Sequence, residues 1–348
     1  MIDKINKRYP AGLILLLIGI FLFGCTSIKP LIKDKPTIEL NIFSNERFDR
    51  VLGQYVNERG LVDYSALQKD IEDLEGYYYL ITIYSPDSHP ELFPSDNHKL
   101  AYWINAYNAG VIKTVLTYYP ITSVIDVKKP GIFFFLSDKS GFFFFQRLTF
   151  GGASTSLYYL ENQVIRKRFN DPRIHFAVNC AALGCPRLPR RSFSGEELDQ
   201  QLDEEARFFL TEERNFNIDH GEKIIYLSSI FKWYEKDFTT WYTAKYPGRK
   251  SSLLSYIELY LVPEKAQELK AIRNSYNLRF IPYDWRLNDK NLESVTIPRD
   301  AGAVYPGGLQ QENPLEGCLI AQTPEPTPWL VHEARFHRHG VKFQALCS

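Results

Sequence analysis

The sequence has no excess of charge of either sign, and this absence limits the partners that the protein can have. Lys+Arg and Asp+Glu both number 41 in a chain of 348 residues, so the formal net charge is zero. Binding of nucleic acid depends on a basic surface that neutralises phosphates, and the sequence contains no nucleic-acid motif. We therefore expect no nucleic acid among the partners.

The sequence also has little that points to a metal, a cofactor or a repeat. His337 and His339 would share one face of a strand, but a third ligand at a familiar spacing is missing. Self-similarity at a period of roughly 20 to 50 residues is absent too, which excludes a repeat array. We expect no bound metal and no cofactor. The length suits one large domain or two small ones.

A hydrophobic run long enough to span a bilayer is missing as well. The run from Ala11 to Phe23 ("AGLILLLIGIFLF") is shorter than the roughly 20 residues that a spanning helix needs. It follows the basic residues Lys4, Lys7 and Arg8, as the apolar core of a signal peptide does. The pattern predicts an exported protein.

The leader ends in "LFGC", which resembles the signal of bacterial lipoproteins. The resemblance implies cleavage before Cys25 and attachment of lipid to that residue, so that the membrane becomes a partner through this anchor. Thr26 supplies no acidic retention signal, and we expect delivery to the outer membrane in a Gram-negative host. The alternative is an ordinary signal peptide with a chance cysteine.

Composition divides the chain into four parts. Residues 1–25 form the lipoprotein signal peptide, and the polar residues 26–44 are expected to form a tether. Residues 45–290 carry the patterns of one mixed α/β (α+β) domain, with several helices around a small sheet. Residues 291–348 are rich in Pro and Gly without a sustained period, which predicts an irregular tail.

One long helix carries two amides on its apolar stripe. The stretch "NHKLAYWINAYNAGVIKTVLTYYP" predicts a helix that ends before Pro120 and places Asn105 and Asn108 on its apolar face. An amide that is buried without partners costs roughly 1–3 kcal/mol, so both must have specific hydrogen bonds. They either brace loop backbone or line a site.

The next stretches predict strands. "ITSVIDV" predicts one strand, and "GIFFFLSDKSGFFFFQRLTFGG" predicts a hairpin with "SDKSG" as its turn. Seven Phe residues lie between Phe133 and Phe145. A hairpin buried on both faces is the simpler interpretation, and a loop that dips into lipid is the alternative.

A carboxylate interrupts the core stripe of the following helix. "STSLYYLENQVIRKRF" places Glu161 among apolar residues. Such a carboxylate needs a cation or hydrogen-bond donors, or its pKa rises. Arg173 and His175 are close in sequence, so Glu161 belongs either to a structural ion pair or to a functional site.

The stretch "DPRIHFAVNCAALGCP" has the highest density of reactive side chains. As a strand, "RIHFAVNC" would place His175 and Asn179 on one face and Cys180 on the opposite, apolar face. A second polar group beside an imidazole can fix its tautomer. Asn179 is therefore a candidate to orient His175, and Cys180 would be a small buried hydrophobe.

Cys185 stands in a different setting, in a loop close to Arg187, Arg190 and Arg191. Positive neighbours favour the thiolate, so Cys185 is a better nucleophile candidate than Cys180. An exported protein meets oxidising conditions, however, and a Cys180–Cys185 disulfide is the alternative. Of the five cysteines, four remain after lipidation and can pair in three ways.

Six motifs occur in a fixed order between residues 45 and 290: "VDYSAL", "AYWINAYNAG", "LENQVIR", "DPRIHFAVNCAALGCPRL", "SSIFKWYEKDF" and "YDWRLN". They resemble the uncharacterised bacterial and plant family catalogued as domain of unknown function 547. The family has no established reaction, so the resemblance implies a domain without implying its chemistry. Gly184 stands where the family usually has serine, and Asn162 stands where it usually has a charged residue or histidine.

The order of elements is also similar to that of transglutaminase-like and papain-like cysteine hydrolases. Those enzymes place a nucleophile at the start of a long helix and a histidine on a later strand, where His175 would stand. Asn105 or Asn108 falls near the nucleophile position, and neither is a thiol. The likeness implies an inactive relative that binds a peptide or carbohydrate, or an enzyme that uses Cys185 from another loop.

These residues together suggest a catalytic hypothesis. Cys185 would attack an acyl carbon, His175 would act as base, and Asn179 or Glu161 would orient the imidazole. Backbone or Asn amides would hold the oxyanion. Amide bonds in peptides or peptidoglycan are the substrate class that the compartment favours.

Three further residues are candidates for ligand binding, namely Asn105, Asn108 and Arg173. The rival hypothesis is a non-catalytic binding or scaffolding lipoprotein. In that case Cys180 and Cys185 form a structural disulfide and the polar groups brace the core.

Overall fold

The computed structural model describes residues 25–31 and 43–292 of the chain. Helices and short strands are mixed within them, which confirms the predicted mixed α/β class and the layout of a single domain. The signal peptide, residues 32–42 of the predicted tether and the chain from residue 293 lie outside the described residues.

The described elements are mostly helices. The α-helices are α1 (Glu46–Tyr55), α2 (Tyr64–Leu67), α3 (Glu72–Ile83), α4 (Asp96–Tyr118), α5 (Ser140–Phe143), α6 (Leu157–Tyr159), α7 (Arg166–Phe169), α8 (Leu198–Thr211), α9 (Ser229–Trp233), α10 (Glu235–Lys245), α11 (Leu253–Ile257) and α12 (Pro263–Ile272). A π-helical segment, Leu160–Ile165, joins α6 to α7. Short 3₁₀ turns are formed by Pro90–Leu92, Val124–Asp126, Gly131–Phe133 and Pro172–Phe176.

The strands form two small sheets. They are β1 (Thr26–Ser27), β2 (Gln146–Phe150), β3 (Ala153–Thr155), β4 (Phe216–Asp219), β5 (Ile224–Ser228) and β6 (Asn277–Ile281). In the first sheet, β2 pairs with β1 in parallel and with β3 in antiparallel orientation. In the second, β5 pairs with β4 in antiparallel and with β6 in parallel orientation. The start of the predicted tether therefore lies against the domain as strand β1.

Helix α4 is the central element of the domain. Ser95 caps its start by accepting a hydrogen bond from the His98 N–H, and the helix ends shortly before Pro120, as the sequence predicts. Every residue from Leu100 to Leu116 is buried. Other elements therefore pack around its whole circumference, and not along one apolar stripe. Of the described residues, no helix is both long and apolar enough to cross a membrane.

The predicted strand at "ITSVIDV" is wrong, because a 3₁₀ turn forms there. Ser123 Oγ accepts from the Ile125 N–H, and the Asp126 carboxylate accepts from the Ser123 N–H. This reciprocal capping box stabilises a tight turn over residues that have a high strand propensity.

The predicted hairpin in the Phe-rich stretch is also wrong. A 3₁₀ turn and helix α5 precede β2, and the hairpin is made by β2 and β3 with Gly151 and Gly152 at its turn. Both glycines have positive φ, at 54° and 81°. The Phe residues in this stretch divide between core and surface: Phe142 and Phe143 are buried, and others are exposed.

The predicted strand "RIHFAVNC" is a 3₁₀ turn. The Asp171 side chain accepts from the Arg173 N–H, and Pro172 occupies the first position of the turn. The apolar alternation has another cause, because Ile174 packs into one hydrophobic cluster and Phe176 into a second one. His175 therefore lies between two cores and does not share a strand face with Asn179.

Candidate functional site

A pocket lies where the two hydrophobic clusters meet. Its walls include Glu161, His175, Cys180, Cys185 and Tyr283. The space at its centre is about 30 Å³, which is room for about two water molecules. The pocket therefore concentrates polar and sulfur-containing side chains around a small volume.

His175 is held by a carboxylate that comes from another helix. His175 Nε2 lies 2.8 Å from Asp237 Oδ2, and Asp237 also accepts two hydrogen bonds from Arg166, at 2.9 and 3.1 Å. Burial opposes ionisation of Asp237, but the hydrogen bonds from His175 and Arg166 hold the pKa of its carboxyl far below its usual range. A carboxylate only accepts, so Nε2 carries the hydrogen and the tautomer of His175 is fixed.

The second ring nitrogen of His175, Nδ1, is unprotonated and carries a lone pair. His175 Nδ1 is buried and has no hydrogen-bond partner among the described residues. The ring stacks on Tyr234 with a centroid distance of 3.8 Å. Burial lowers the pKa of His175 to about 4, so the imidazole is neutral at neutral pH. An oriented, neutral imidazole whose lone pair accepts no hydrogen bond has the chemistry of a general base.

Glu161 is bound by two phenols. Tyr107 donates to Glu161 Oε2 and Tyr234 donates to Glu161 Oε1, each at 2.9 Å. Burial raises the pKa of Glu161, although Arg166 and the two phenols partly oppose this shift. The predicted partners Arg173 and His175 do not bind it. Glu161 lines the same pocket as His175, and its elevated pKa is typical of carboxyls at functional sites.

Cys180 and Cys185 are joined by a disulfide, with their Cα atoms 6.2 Å apart. The Tyr283 hydroxyl lies 2.9 Å from Cys180 Sγ and 3.0 Å from Cys185 Sγ. Burial raises the pKa of Tyr283, so this hydroxyl stays protonated and donates. The Cys180 N–H also points at Cys185 Sγ, at 2.9 Å. Two donors therefore converge on the sulfur of Cys185.

Asn179 does not orient the imidazole as predicted, because Asp237 does. Asn179 Nδ2 donates to the Pro186 carbonyl at 2.7 Å, and its Oδ1 accepts from the Ala181 N–H at 2.8 Å. Asn179 thus ties together the two ends of the loop that contains the disulfide.

The two amides of α4 brace backbone. Asn105 exchanges two hydrogen bonds with the backbone of Phe193, at 2.8 and 2.9 Å. Asn108 donates to the Ala177 carbonyl at 3.0 Å and accepts from the Asn179 N–H at 2.8 Å. Of the two alternatives drawn from the sequence, the bracing of loops describes both residues, and neither lines the pocket.

Arg173 lies among acidic residues and not in the pocket. Its guanidinium contacts Asp171 at 2.6 Å, Asp199 at 2.7 Å and Asp203 at 2.8 Å. These carboxylates occupy its donors, so the geometry gives it a structural role. Among residues 25–31 and 43–292, no group of three or more His, Cys, Asp and Glu side chains could hold a metal ion.

Sequence reasoning missed three residues that contact His175 or line its pocket and lie far from it along the chain. Asp237 and Tyr234 come from "SSIFKWYEKDF", and Tyr283 comes from "YDWRLN". Both motifs had been singled out by their resemblance to a family, but not for chemistry. The sequence signal that could have indicated a site is the occurrence of polar residues next to aromatic residues in both motifs.

The fold is that of a mixed α/β domain, and a histidine, a carboxyl and a disulfide line one of its pockets. Residues 92–210 match the sequence model of the family described as "Protein of unknown function, DUF547". The match supports the identity of the domain, and it includes Glu161, His175 and both cysteines of the pocket. No curated protein matches the chain, and no solved structure matches it.

One departure from the usual family motif has a steric reason. A Cβ atom at Gly184 would lie 2.8 Å from Tyr283 Cδ2 and 2.9 Å from the Asp284 nitrogen. A serine at this position would therefore push Tyr283 away from the sulfurs. The other departure, Asn162, hydrogen-bonds to Arg166, and thus supports the residue that holds Asp237.

Proposed function

We propose that the domain is a cysteine–histidine acyl hydrolase or transferase of the cell envelope, with Cys185 as nucleophile. The observation that carries the proposal is the buried, unpartnered Nδ1 of His175, because His175 and Cys185 line the same pocket. A neutral imidazole whose other nitrogen is fixed by Asp237 is the form that accepts a proton from a thiol.

The proposed reaction begins with reduction. An external dithiol exchanges with the Cys180–Cys185 disulfide, so that both cysteines become thiols and the dithiol is oxidised. The Cys180 N–H and the Tyr283 hydroxyl, which already lie at Cys185 Sγ, then stabilise its thiolate. Hydrogen bonds to the charged form lower the pKa of a thiol.

Acyl transfer then follows. His175 Nδ1 takes the proton of Cys185, and the thiolate attacks the carbonyl carbon of an amide. The amine leaves with the proton from His175, and a thioester remains on Cys185. Water or a second amine takes the acyl group and restores the thiol.

The proposed location follows from the leader sequence. We infer export, lipid attachment at Cys25 and delivery to the outer membrane in a Gram-negative host from "LFGC" and Thr26. Peptides and peptidoglycan are the amides of that compartment. Mass mapping of the N-terminal peptide tests lipid attachment at Cys25, because a lipidated peptide carries the added mass of the acyl chains.

The second candidate function is a non-catalytic binding or scaffolding protein. The disulfide itself favours it, because an oxidised Cys185 cannot attack a carbonyl. The bracing by Asn179 and Asn108 favours it too, since these residues hold the disulfide loop in a closed form.

Alkylation kinetics separate the two functions. The full-length protein is treated with a mild dithiol, alkylated at a series of pH values and mapped by mass spectrometry. We expect Cys185 to react with an apparent pKa well below about 8.5, the value of an unperturbed thiol. In the variant His175→Gln, the rate at pH 7 should fall at least about tenfold, because the base is lost.

The matched control is His98→Gln, since His98 is paired with Glu196 outside the pocket. This variant should react like the wild type. A Cys180–Cys185 peptide that survives mild reduction, or a rate that is indifferent to His175, would establish the non-catalytic candidate instead.

A further inference from the structure

An exposed apolar loop stands out on the surface of the domain. Residues 131–136, here called the phenylalanine loop, form a 3₁₀ turn and its continuation before α5. Ile132 is 46%, Phe134 is 81% and Phe135 is 68% exposed. Single exposed apolar residues are ordinary, but three in one short loop mark a contact surface.

The loop is held at its base. The Phe133 ring packs on Phe145 with a centroid distance of 4.9 Å, and Lys129 forms an ion pair with Asp138 across the two ends. The backbone ends of the loop approach so closely that a Cβ at Gly141 would lie 1.9 Å from the Val127 carbonyl oxygen. Phe134 and Phe135 therefore project from a fixed base.

The N-terminal segment meets the domain at this same place. The Thr26 N–H donates to the carbonyl of Phe145 at 2.9 Å, and the Ile28 N–H donates to the carbonyl of Arg147 at 2.8 Å. Phe145 therefore contacts both the loop, through Phe133, and strand β1. The apolar run that ends at Phe23 lies two residues before Cys25 in the sequence. Any attachment to a bilayer through this part of the chain enters beside the phenylalanine loop.

We propose that the phenylalanine loop inserts Phe134 and Phe135 into the surface of the phospholipid membrane to which the chain is anchored. The inference rests on the proposed membrane anchoring and adds a second contact to it. Aromatic side chains are favoured at the boundary between headgroups and acyl chains. Lys128 is exposed at the start of the loop, where a cation can meet lipid phosphates.

The contact would also fix the position of the pocket. Helix α5 begins four residues after the end of the loop, and its residue Phe143 lines the pocket. Two contacts with the membrane, one through the chain end and one through the loop, restrict the rotation of a tethered domain. The pocket is then held at a set height above the lipid surface.

The test places a fluorophore in the loop of the full-length protein. The variants Phe134→Trp and Phe135→Trp are reconstituted into phosphatidylcholine–phosphatidylglycerol vesicles, with and without brominated acyl chains. Interfacial side chains reach roughly 5–10 Å into the bilayer, within range of the bromines. The emission of the introduced tryptophan is obtained by subtracting the wild-type signal. It should be about twofold lower in brominated than in non-brominated vesicles for each variant, because the side chain lies at the depth of the bromines.

Val262→Trp is the matched control, because Val262 is 58% exposed and stands just before α12. Its added emission should not change. Protein that floats with the vesicles while loop and control positions are quenched equally would overturn the docking and leave the anchoring intact. Protein that does not float would overturn both.

A different partner at the phenylalanine loop would give a different fluorescence result. A loop covered by a second copy, or by residues 293–348, would show blue-shifted emission before vesicles are added and no response to bromine. That result also overturns the proposal. Because both positions are exposed, the substitutions should leave the circular dichroism spectrum unchanged.

Discussion

At the scale of single residues, the neutral imidazole of His175 is the main feature of the site. Burial lowers its pKa to about 4, and the bond to Asp237 opposes this shift without reversing it. Charge on the imidazole is therefore disfavoured in the folded protein. The same burial that keeps Nδ1 available as a base makes the fold sensitive to acid.

The pH dependence of stability should report this burial. His175 takes up a proton near pH 6.5 when unfolded and near pH 4 when folded. The unfolded state therefore binds more protons between these values, and the free energy of unfolding falls as the pH falls through this window. The full contribution is about 3 kcal/mol. Urea unfolding of the wild type and of His175→Gln, from pH 7.5 to 4.5, should show a flatter profile for the variant.

Glu161 changes the free energy of unfolding with pH in the opposite direction to His175. Its raised pKa gives stability that is present at low pH and lost as the pH rises through the folded value. Both proteins retain Glu161, so its contribution largely cancels in the difference between their profiles. Parallel profiles would show that His175 does not titrate in the way that its burial implies.

At the scale of elements, α4 holds the disulfide loop through Asn108. Its amide satisfies the Ala177 carbonyl and the Asn179 N–H, which lie on the chain just before Cys180. Asn179 in turn binds both ends of the loop. A helix that is buried along its length thus positions one wall of the pocket through a single side chain.

Loss of this amide should cost considerable stability. The variant Asn108→Ala leaves one buried acceptor and one buried donor without partners, and the expected loss is about 3 kcal/mol in the free energy of unfolding. Asn97→Ala, which removes a more exposed hydrogen bond at the start of the same helix, should cost less than about 0.5 kcal/mol. Urea denaturation measures both. Equal losses would mean that the bracing of the loop contributes little.

The sequence was most informative where local signals decide the structure. Helix α4 could be predicted because one long helical pattern of apolar residues ends at a proline. The 3₁₀ turn at His175 could not, because its alternation arises from Ile174 and Phe176 packing into different clusters. Tertiary packing, and not the preference of the local chain, sets the conformation there.

The candidate site residues could likewise be predicted where local sequence was sufficient, and not where tertiary contacts decide. Glu161 was found as a carboxylate in an apolar stripe, His175 in a stretch dense in reactive side chains, and Cys185 in a loop with basic neighbours. Asp237 could not be matched to His175, since the two are separated by 62 residues and meet through tertiary contact alone. The prediction of Asn179 as the orienting group failed because it depended on a strand that does not form.

At the scale of the whole molecule, the site joins two halves of the domain. The first cluster contains α4 and the disulfide loop, and the second contains β4, β5 and α10. His175 lies in the part that matches the family model, residues 92–210, but its partner Asp237 lies beyond it. Phe176 likewise packs on Phe231 and Phe238, with centroid distances of 5.9 and 5.8 Å.

A chain cut after residue 210 should therefore not fold, although it contains the whole family match. It would expose Phe176 and leave His175 without Asp237, and loss of the packing of one large aromatic side chain alone costs about 3–5 kcal/mol, a large part of the stability of a typical domain. Far-UV circular dichroism and amide chemical-shift dispersion would compare residues 43–210 with residues 43–292. The longer chain should unfold in one cooperative transition. A shorter chain with dispersed amide signals and a cooperative transition would show that the second half is a separate addition, and that the pocket lies between two independent domains.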